Sequence, residues 1–353
     1  MGEFNFFKIL EKGDKELVHS AILAYLIDNE HQFRTDFLKL PALNYTPTKL
    51  EKSISYKKQI RSKAKRIRFD VFCESANEKE VVVIENKFKS APDDKQLKEY
   101  DEGLKKNYTA NINKILFCFD KKLASKVIEG TQWEVFDYVD LLKELETGKY
   151  NGNCVDKKLF IEHYCSLLRW YINQKKSDEK NANDLFKSDL DNDERFRRRL
   201  FNARLYLELI NNEHFINCGY VVNPGNTSDP LLNIVPSKWL TAFGCKFLLP
   251  FYGEEVVLQL QGGDLKFYLH FQKDKREVER VNEFLALVRT YFTTQYKDFE
   301  VKKNVKTIQK SMFICKIKVK SNVDEGVVTV DSIKKLIISF YKECEAFLNR
   351  YQE

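Results

Sequence analysis

The apolar and polar positions alternate between helical and strand periods along the first 150 residues. Residues 14–28 set Leu17, Ala21, Ile22, Leu23, Tyr25 and Leu26 at helical spacing, with Asp14 as a candidate N-cap and Asp28-Asn29 as a stop. A second amphipathic helix is predicted over 31–40, ending before Pro41. Segments 53–60 and 65–74 alternate as half-buried strands do. Val81-Val82-Val83-Ile84 is continuously apolar and β-branched, the pattern of a buried strand. The turn Ser75-Ala76-Asn77-Glu78 joins it to the strand before it. A helix follows over about 93–106, a strand over 113–119, a helix near 121–129, a strand over 132–136 and a helix over 138–146. The order α–β–β–β–α–β–α–β predicts a mixed sheet flanked by helices, an α/β (α+β) fold.

Beyond the turn Tyr150-Asn151-Gly152-Asn153, residues 156–174 read as a long helix. The stretch Gln174–Asp193 is rich in Lys, Asp and Asn and marks a linker or domain border. A helix over 192–213 carries Arg195, Arg197, Arg198, Arg199 and Arg204, placed either for phosphate or for pairing with Asp189, Asp191, Asp193 and Glu194. Short strands are expected near 218–222, 231–236, 245–251, 254–261 and 265–272. A helix over 276–293, strands near 299–302 and 311–320 and a last helix over 331–350 complete an α+β half with an antiparallel meander. Asp229-Pro230, Gly262-Gly263-Asp264 and Pro224-Gly225-Asn226 are turn chemistry. The resulting division is a core over 1–150, a helical connector over 151–190 and a C-terminal domain over 191–353. That last domain is assigned to substrate or partner selection, a second copy of the chain or another protein being the partner.

Composition narrows the class. A hydrophobic content of 43% and an aromatic content of 13% support packed cores, so the chain is not a disordered one. The formal charge of +7 permits a nucleic-acid partner without demanding one. No apolar run approaches the ~20 residues of a membrane span, and the N-terminus lacks the basic and apolar regions of a signal peptide, so a cytoplasmic location is expected. The eight cysteines are scattered without a C-x-x-C pair, which predicts reduced, mostly buried thiols. No P-loop, Rossmann glycine motif or Ser–His–Asp arrangement is visible.

The candidate chemistry sits on the strands at 65–74 and 81–87. A buried strand should not carry Glu85 and Lys87 unless they are paired or bind something. Two residues apart, they leave one face of the strand about 6–7 Å from each other. A hairpin through the turn at 75–78 can bring Asp70 beside Glu85. Two carboxylates with a lysine suit a divalent ion, Mg²⁺ or Mn²⁺, through hard oxygens. Such an ion polarises a phosphate and acidifies a bound water, and the lysine orients that water or neutralises developing charge. Leading into this strand, Lys52, Lys57, Lys58, Arg61, Lys63, Lys65, Arg66 and Arg68 follow one another with no acidic residue between them. The run suits phosphate contact as well as it suits a solvated face.

Asp70 followed by Glu85-x-Lys87 resembles the core motif of the PD-(D/E)xK nuclease superfamily. Gln96-x-x-x-Tyr100, spaced to share one face of the predicted helix, is similar to the QxxxY motif of its RecB-like and Cas4-like branch. Glu16 on the N-terminal helix stands where the superfamily often carries a further acidic residue. The wording Ile84-Glu85-Asn86-Lys87 and the helix Glu16–Leu26 are similar to a family of bacterial PD-(D/E)xK proteins. The likeness covers roughly residues 10–145, and Phe69 stands where the motif's name has proline. It implies a restriction-endonuclease-like core and a Mg²⁺- or Mn²⁺-dependent nuclease acting on DNA, in bacterial defence or DNA processing. Asp70, Glu85 and Glu16 would hold the metal, with help from the Ile84 or Asn86 backbone, and Lys87, Gln96 and Tyr100 would complete the catalytic set. Lys57, Lys58, Arg61, Lys63, Lys65, Arg66 and Arg68 would contact nucleic acid. His19, near Glu16 on its helix, is open to a packing role or to metal or phosphate.

Two other readings compete. One is an inactive nucleic-acid-binding or regulatory protein on a nuclease fold, which would commonly have lost one of the core groups. The other makes the carboxylates and lysine a structural ion-pair set, which leaves Gln96-x-x-x-Tyr100 and Glu16 without a role.

Overall fold

The computed structural model describes residues 5–10, 12–13, 15–57, 64–89, 92, 94–125, 127–215, 230–234, 253–271, 278–292, 296–307 and 311–352. The N-cap candidate Asp14, the strands expected near 218–222 and 245–251, and Pro224-Gly225-Asn226 lie outside them. The chain divides into two compact units, Met1–Asn173 and Gln174–Glu353.

In the first unit, a short helix α1 (Phe6–Ile9) precedes α2 (Glu16–Asn29). The helix expected over 31–40 is a short helical segment ending in a π turn at Phe33–Phe37, where Leu38 N–H reaches the Phe33 carbonyl at 3.0 Å. Then come β1 (Lys49–Tyr56), β2 (Lys65–Glu74), β3 (Glu80–Lys87), α3 (Asp94–Asn107), β4 (Asn111–Cys118), α4 (Lys121–Ala124), β5 (Trp133–Asp137) and α5 (Tyr138–Glu146). Helix α6 (Val155–Lys180) follows. The strands form one sheet in the order β1-β2-β3-β4-β5. The β1–β2 and β2–β3 pairs are antiparallel, and the β3–β4 and β4–β5 pairs are parallel, each parallel pair bridged by a helical crossover. The sheet is therefore mixed, and β3 is its centre. That position explains the unbroken apolar run, because both faces of β3 are covered.

The two covers differ. On one face Leu97, Tyr100 and Leu104 of α3 pack on Ile54, Tyr56, Ile67, Phe69, Val81, Val83 and Leu116. Gly103 makes the close approach of α3 possible, since a Cβ there would sit 2.3 Å from the Ile67 Cδ1. On the other face, α2, α5 and α6 supply an aromatic cluster around Phe88. Its ring stacks on His19 at 3.5 Å and meets Tyr138 at 4.7 Å and Tyr171 at 5.6 Å, edge-on.

In the second unit, the polar stretch after Asn173 is not an open linker. Helix α6 continues to Lys180, and Ala182, Leu185, Phe186 and Leu190 are buried. Isolated apolar residues in a charged stretch are weak in composition yet sufficient to seat it. Helix α7 (Asn192–Ile210) starts with a capping box between Asp191 and Glu194. Strands β6 (Leu231–Ile234), β7 (Gly253–Gln261), β8 (Asp264–Phe271), β9 (Glu300–Val301) and β10 (Ser311–Lys318) form an antiparallel sheet in the order β6-β7-β8-β10-β9. The β7–β8 hairpin turns through Gly262-Gly263, with Gly262 at φ +55°. Helices Val278–Phe292 and Val330–Gln352 join α7 in one apolar core with this sheet.

Three arginines of α7 have their partners within the fold. Arg197 forks onto Asp178 of α6, and Arg204 pairs with Glu208 at 2.8 Å. Arg198 is fully buried. Its guanidinium lies 3.5 Å from the Phe186 ring centroid, donates to the Leu185 carbonyl at 2.7 Å and donates to Asn202 Oδ1 at 3.0 Å. Asp191 and Glu194 are taken up by the cap, and Glu194 also receives Lys187 at 2.6 Å. Among the described residues, no helix is long and apolar enough to cross a membrane. Cys73, Cys118, Cys165, Cys315 and Cys344 are buried free thiols, while Cys154 is exposed.

Candidate active site

The site forms where β2 and β3 part. Their register runs from Glu74↔Val81 to Val71↔Ile84 and ends there, with Asp70 and Glu85 the next residue on each strand. Simple alternation does not carry β2 through this point. Phe69 and Phe72 should face opposite ways, yet both rings lie in the core under α3, with centroids 6.2 Å apart. Glu51, the β1 residue that would face Asp70, adopts φ +52° and is skipped in the β1–β2 register. A non-glycine residue at positive φ is uncommon and marks local strain beside Asp70. The Asp70 carboxylate accepts the Asn86 backbone N–H at 2.7 Å.

Glu85 points toward α3 and is 2% exposed. Its Oε1 accepts from Lys87 Nζ at 2.6 Å and from Gln96 Nε2 at 2.9 Å. Its Oε2 is buried with no hydrogen-bond partner. Gln96 Nε2 also reaches the Tyr100 hydroxyl at 2.6 Å, and that hydroxyl donates to the Arg68 carbonyl at 2.7 Å. The Gln96–Tyr100 pair thus ties one carboxylate oxygen of β3 to the backbone of β2. Burial pushes the Glu85 carboxyl up to about 7; Lys87 opposes the rise and Asp70 adds to it. Burial also raises the Asp70 carboxyl, against the Asn86 N–H and Lys87, while Glu16 raises it further. For Lys87, burial works to lower the ammonium, but Glu85, Glu16 and Asp70 together raise it.

Glu16 is half-buried at the start of α2. Its Oε1 accepts the Lys89 backbone N–H at 3.1 Å, and its charge acts on both Asp70 and Lys87. Among the described residues, no three His, Cys, Asp or Glu side chains converge as a metal-binding group. Asp70 and the orphaned Glu85 Oε2 offer two hard oxygens, the donor type a divalent cation takes. Mg²⁺ needs no more from a protein, since it keeps waters and takes the rest from substrate phosphate. His19 is a core residue. Its Nδ1 bonds the Tyr164 hydroxyl at 2.8 Å and its Nε2 the Gly13 carbonyl at 2.9 Å.

Of the basic run, Lys57 and Arg66 are exposed at the β1–β2 edge of the sheet. Arg68 pairs with Glu51 at 3.0 Å, and Lys65 pairs with Glu99 of α3. Lys58, Arg61 and Lys63 lie outside the described residues.

Sequence reasoning used only the backbone of Asn86 and missed its side chain, together with Ser20 and Tyr138. Asn86 is 1% exposed and faces α2, because successive residues of a strand point to opposite faces. Its Nδ2 donates to the Glu16 carbonyl and to Ser20 Oγ, both at 3.0 Å, and its Oδ1 accepts from the Tyr138 hydroxyl at 2.7 Å. The available signal was a third polar residue between Glu85 and Lys87 in a strand buried on both faces.

A mixed five-stranded sheet with helices on both faces, bearing Asp, Glu and Lys where two central strands part, is consistent with a restriction-endonuclease-like fold. Residues 4–166 match the family model of the PD-(D/E)XK nuclease superfamily. Neither the comparison with curated proteins nor that with solved structures gave a match.

Proposed function

We propose that this chain is a metal-dependent nuclease that hydrolyses phosphodiester bonds in DNA, with Mg²⁺ or Mn²⁺ held by Asp70 and Glu85. The observation that carries the reading is the buried, unpartnered Oε2 of Glu85 beside Asp70. A buried carboxylate oxygen without a donor is costly, and a cation relieves that cost. The ion, when bound, polarises the phosphate and lowers the pKa of a water. Lys87, held on Glu85 Oε1, places its ammonium toward the attacked phosphate and offsets developing charge. Gln96 fixes Glu85 through the same oxygen and leaves Oε2 for the ion. Tyr100 steadies Gln96, and Glu16 supplies further negative potential from α2. Lys57, Arg66 and Arg68 engage phosphates along the β1–β2 edge, and Lys58, Arg61, Lys63 and Lys65 are assigned to nucleic acid with them. The C-terminal unit selects substrate or partner.

The test is cleavage of labelled single- and double-stranded DNA and RNA by the full chain in Mg²⁺, Mn²⁺ or EDTA. DNA cleavage that needs the metal and is lost in Asp70→Asn is the expected result. A folded protein that cuts none of them, yet still binds DNA, would support the inactive binding-protein reading.

A further inference from the structure

We propose that the Asn86 side chain is the positioning element of the site: it anchors the one peptide whose N–H sets the Asp70 carboxylate. The β2–β3 register ends at Val71↔Ile84, and beyond it the Asn86 N–H goes to Asp70 Oδ2 at 2.7 Å. The orientation of Asp70 is then only as firm as the Asn86 peptide. That peptide is paired on its β4 side, Asn86↔Phe117 and Lys87↔Cys118, but on its β2 side the ladder has already ended. Three side-chain hydrogen bonds hold it. Both Nδ2 hydrogens are used, on the Glu16 carbonyl and Ser20 Oγ, and Oδ1 receives Tyr138. Ser20 Oγ itself donates to the Glu16 carbonyl at 2.9 Å, which closes the set on the first turn of α2. A buried network in which every member is satisfied is rigid and specifies one geometry.

The arrangement divides labour across the sheet. Glu85 and Lys87 point to α3 and carry the chemistry, while Asn86 between them points to α2 and α5 and carries the alignment. The same turn of α2 grips the chain twice more, through Glu16 Oε1 on the Lys89 N–H and through the stack of His19 on Phe88. Asn86 does not touch substrate in this account; it acts through Asp70.

The proposal rests on Asp70 being a metal ligand, so the test reads the peptide and the metal separately. Tyr138→Phe keeps the ring and removes only the hydroxyl bonded to Oδ1; Asn86→Ala removes the whole anchor. Amide hydrogen exchange on the full-length, metal-free chain is measured at Asn86 and at Val82 and Val83 of the same strand. Tyr138→Phe should speed exchange at Asn86 by about fivefold to tenfold, the ratio that one net hydrogen bond converts to, and leave Val82 and Val83 unchanged. Mn²⁺ affinity by calorimetry should weaken by about the same factor, and further in Asn86→Ala if that variant folds. Equal acceleration along the whole strand would make Asn86 a merely structural residue and overturn the proposal, as would unchanged exchange at Asn86. Selective acceleration at Asn86 in a protein that binds no Mn²⁺ would uphold the positioning of Asp70 and sink the metal reading instead.

Discussion

Glu85 makes the metal-free protein sensitive to pH in a direction opposite to most carboxylates. Its folded carboxyl sits near 7, against an ordinary value of 4.5, because burial penalises its charged form. Between those two values the folded chain holds a proton that the unfolded chain has lost. The contribution of Glu85 to stability is therefore greatest at the acid end of this window, falls as pH rises through it and is gone above about 7. At roughly 1.4 kcal/mol per pH unit, the gap is worth about 3 kcal/mol. Asp70, also raised by burial, adds a loss of the same sign. The raised Lys87 contributes stability that is lost only at alkaline pH, outside this window. A drop of about 3 kcal/mol corresponds to a Tm lower by about 6–12 °C for a unit of this size. Thermal melts in EDTA from pH 5 to pH 8 should show that fall. Glu85→Gln, which cannot ionise, should remove most of it. Mn²⁺ competes for the ionised carboxylates, so the Tm gain on adding it should be larger at pH 8 than at pH 6. A wild-type profile parallel to that of Glu85→Gln across this range would refute the reasoning.

Other variants separate the roles. Lys87→Ala should lower cleavage by about 10²–10³ while Mn²⁺ binding at pH 8 by calorimetry persists, whereas Asp70→Ala should lose both. Arg198→Ala should destabilise the C-terminal unit by about 3 kcal/mol in urea unfolding, through a cavity beside Phe186 and an unpaired Leu185 carbonyl, with Mn²⁺ affinity unchanged. Gly103→Ala should cost about 1–2 kcal/mol in the same assay, since overpacking against Ile67 outweighs the gain in helix propensity.

The fold of the first unit was legible because its signals are local. The apolar run 81–84 marks a strand covered on both faces, and polar residues breaking such a run mark a site. Gln96 and Tyr100, one helical turn apart, share a face as their spacing implied, and Gln96 reaches both the Tyr100 hydroxyl and Glu85. What sequence could not carry was direction. The strain at Glu51 and the broken alternation at Asp70 depend on how β1, β2 and β3 diverge, not on residue types. Asn86 looked like a spacer between Glu85 and Lys87 until α2 and α5 closed over the other face of the sheet. The stretch 174–193 reads as a linker or domain border because its charges outnumber its apolar residues; the division between the two units falls at its start, while Leu185, Phe186 and Leu190 are buried. Arg198 was read with the charged surface, but Phe186 and Asn202 draw it into the core.

The central claim is that Asp70 and Glu85 hold one divalent ion. Crystals of the full chain grown with Mn²⁺ and measured near the manganese edge test it directly. The account predicts an anomalous peak within about 2–2.5 Å of an Asp70 oxygen and of Glu85 Oε2, with Lys87 still on Oε1. No peak there, with Glu85 Oε2 still buried and unpartnered in the presence of the metal, would contradict it.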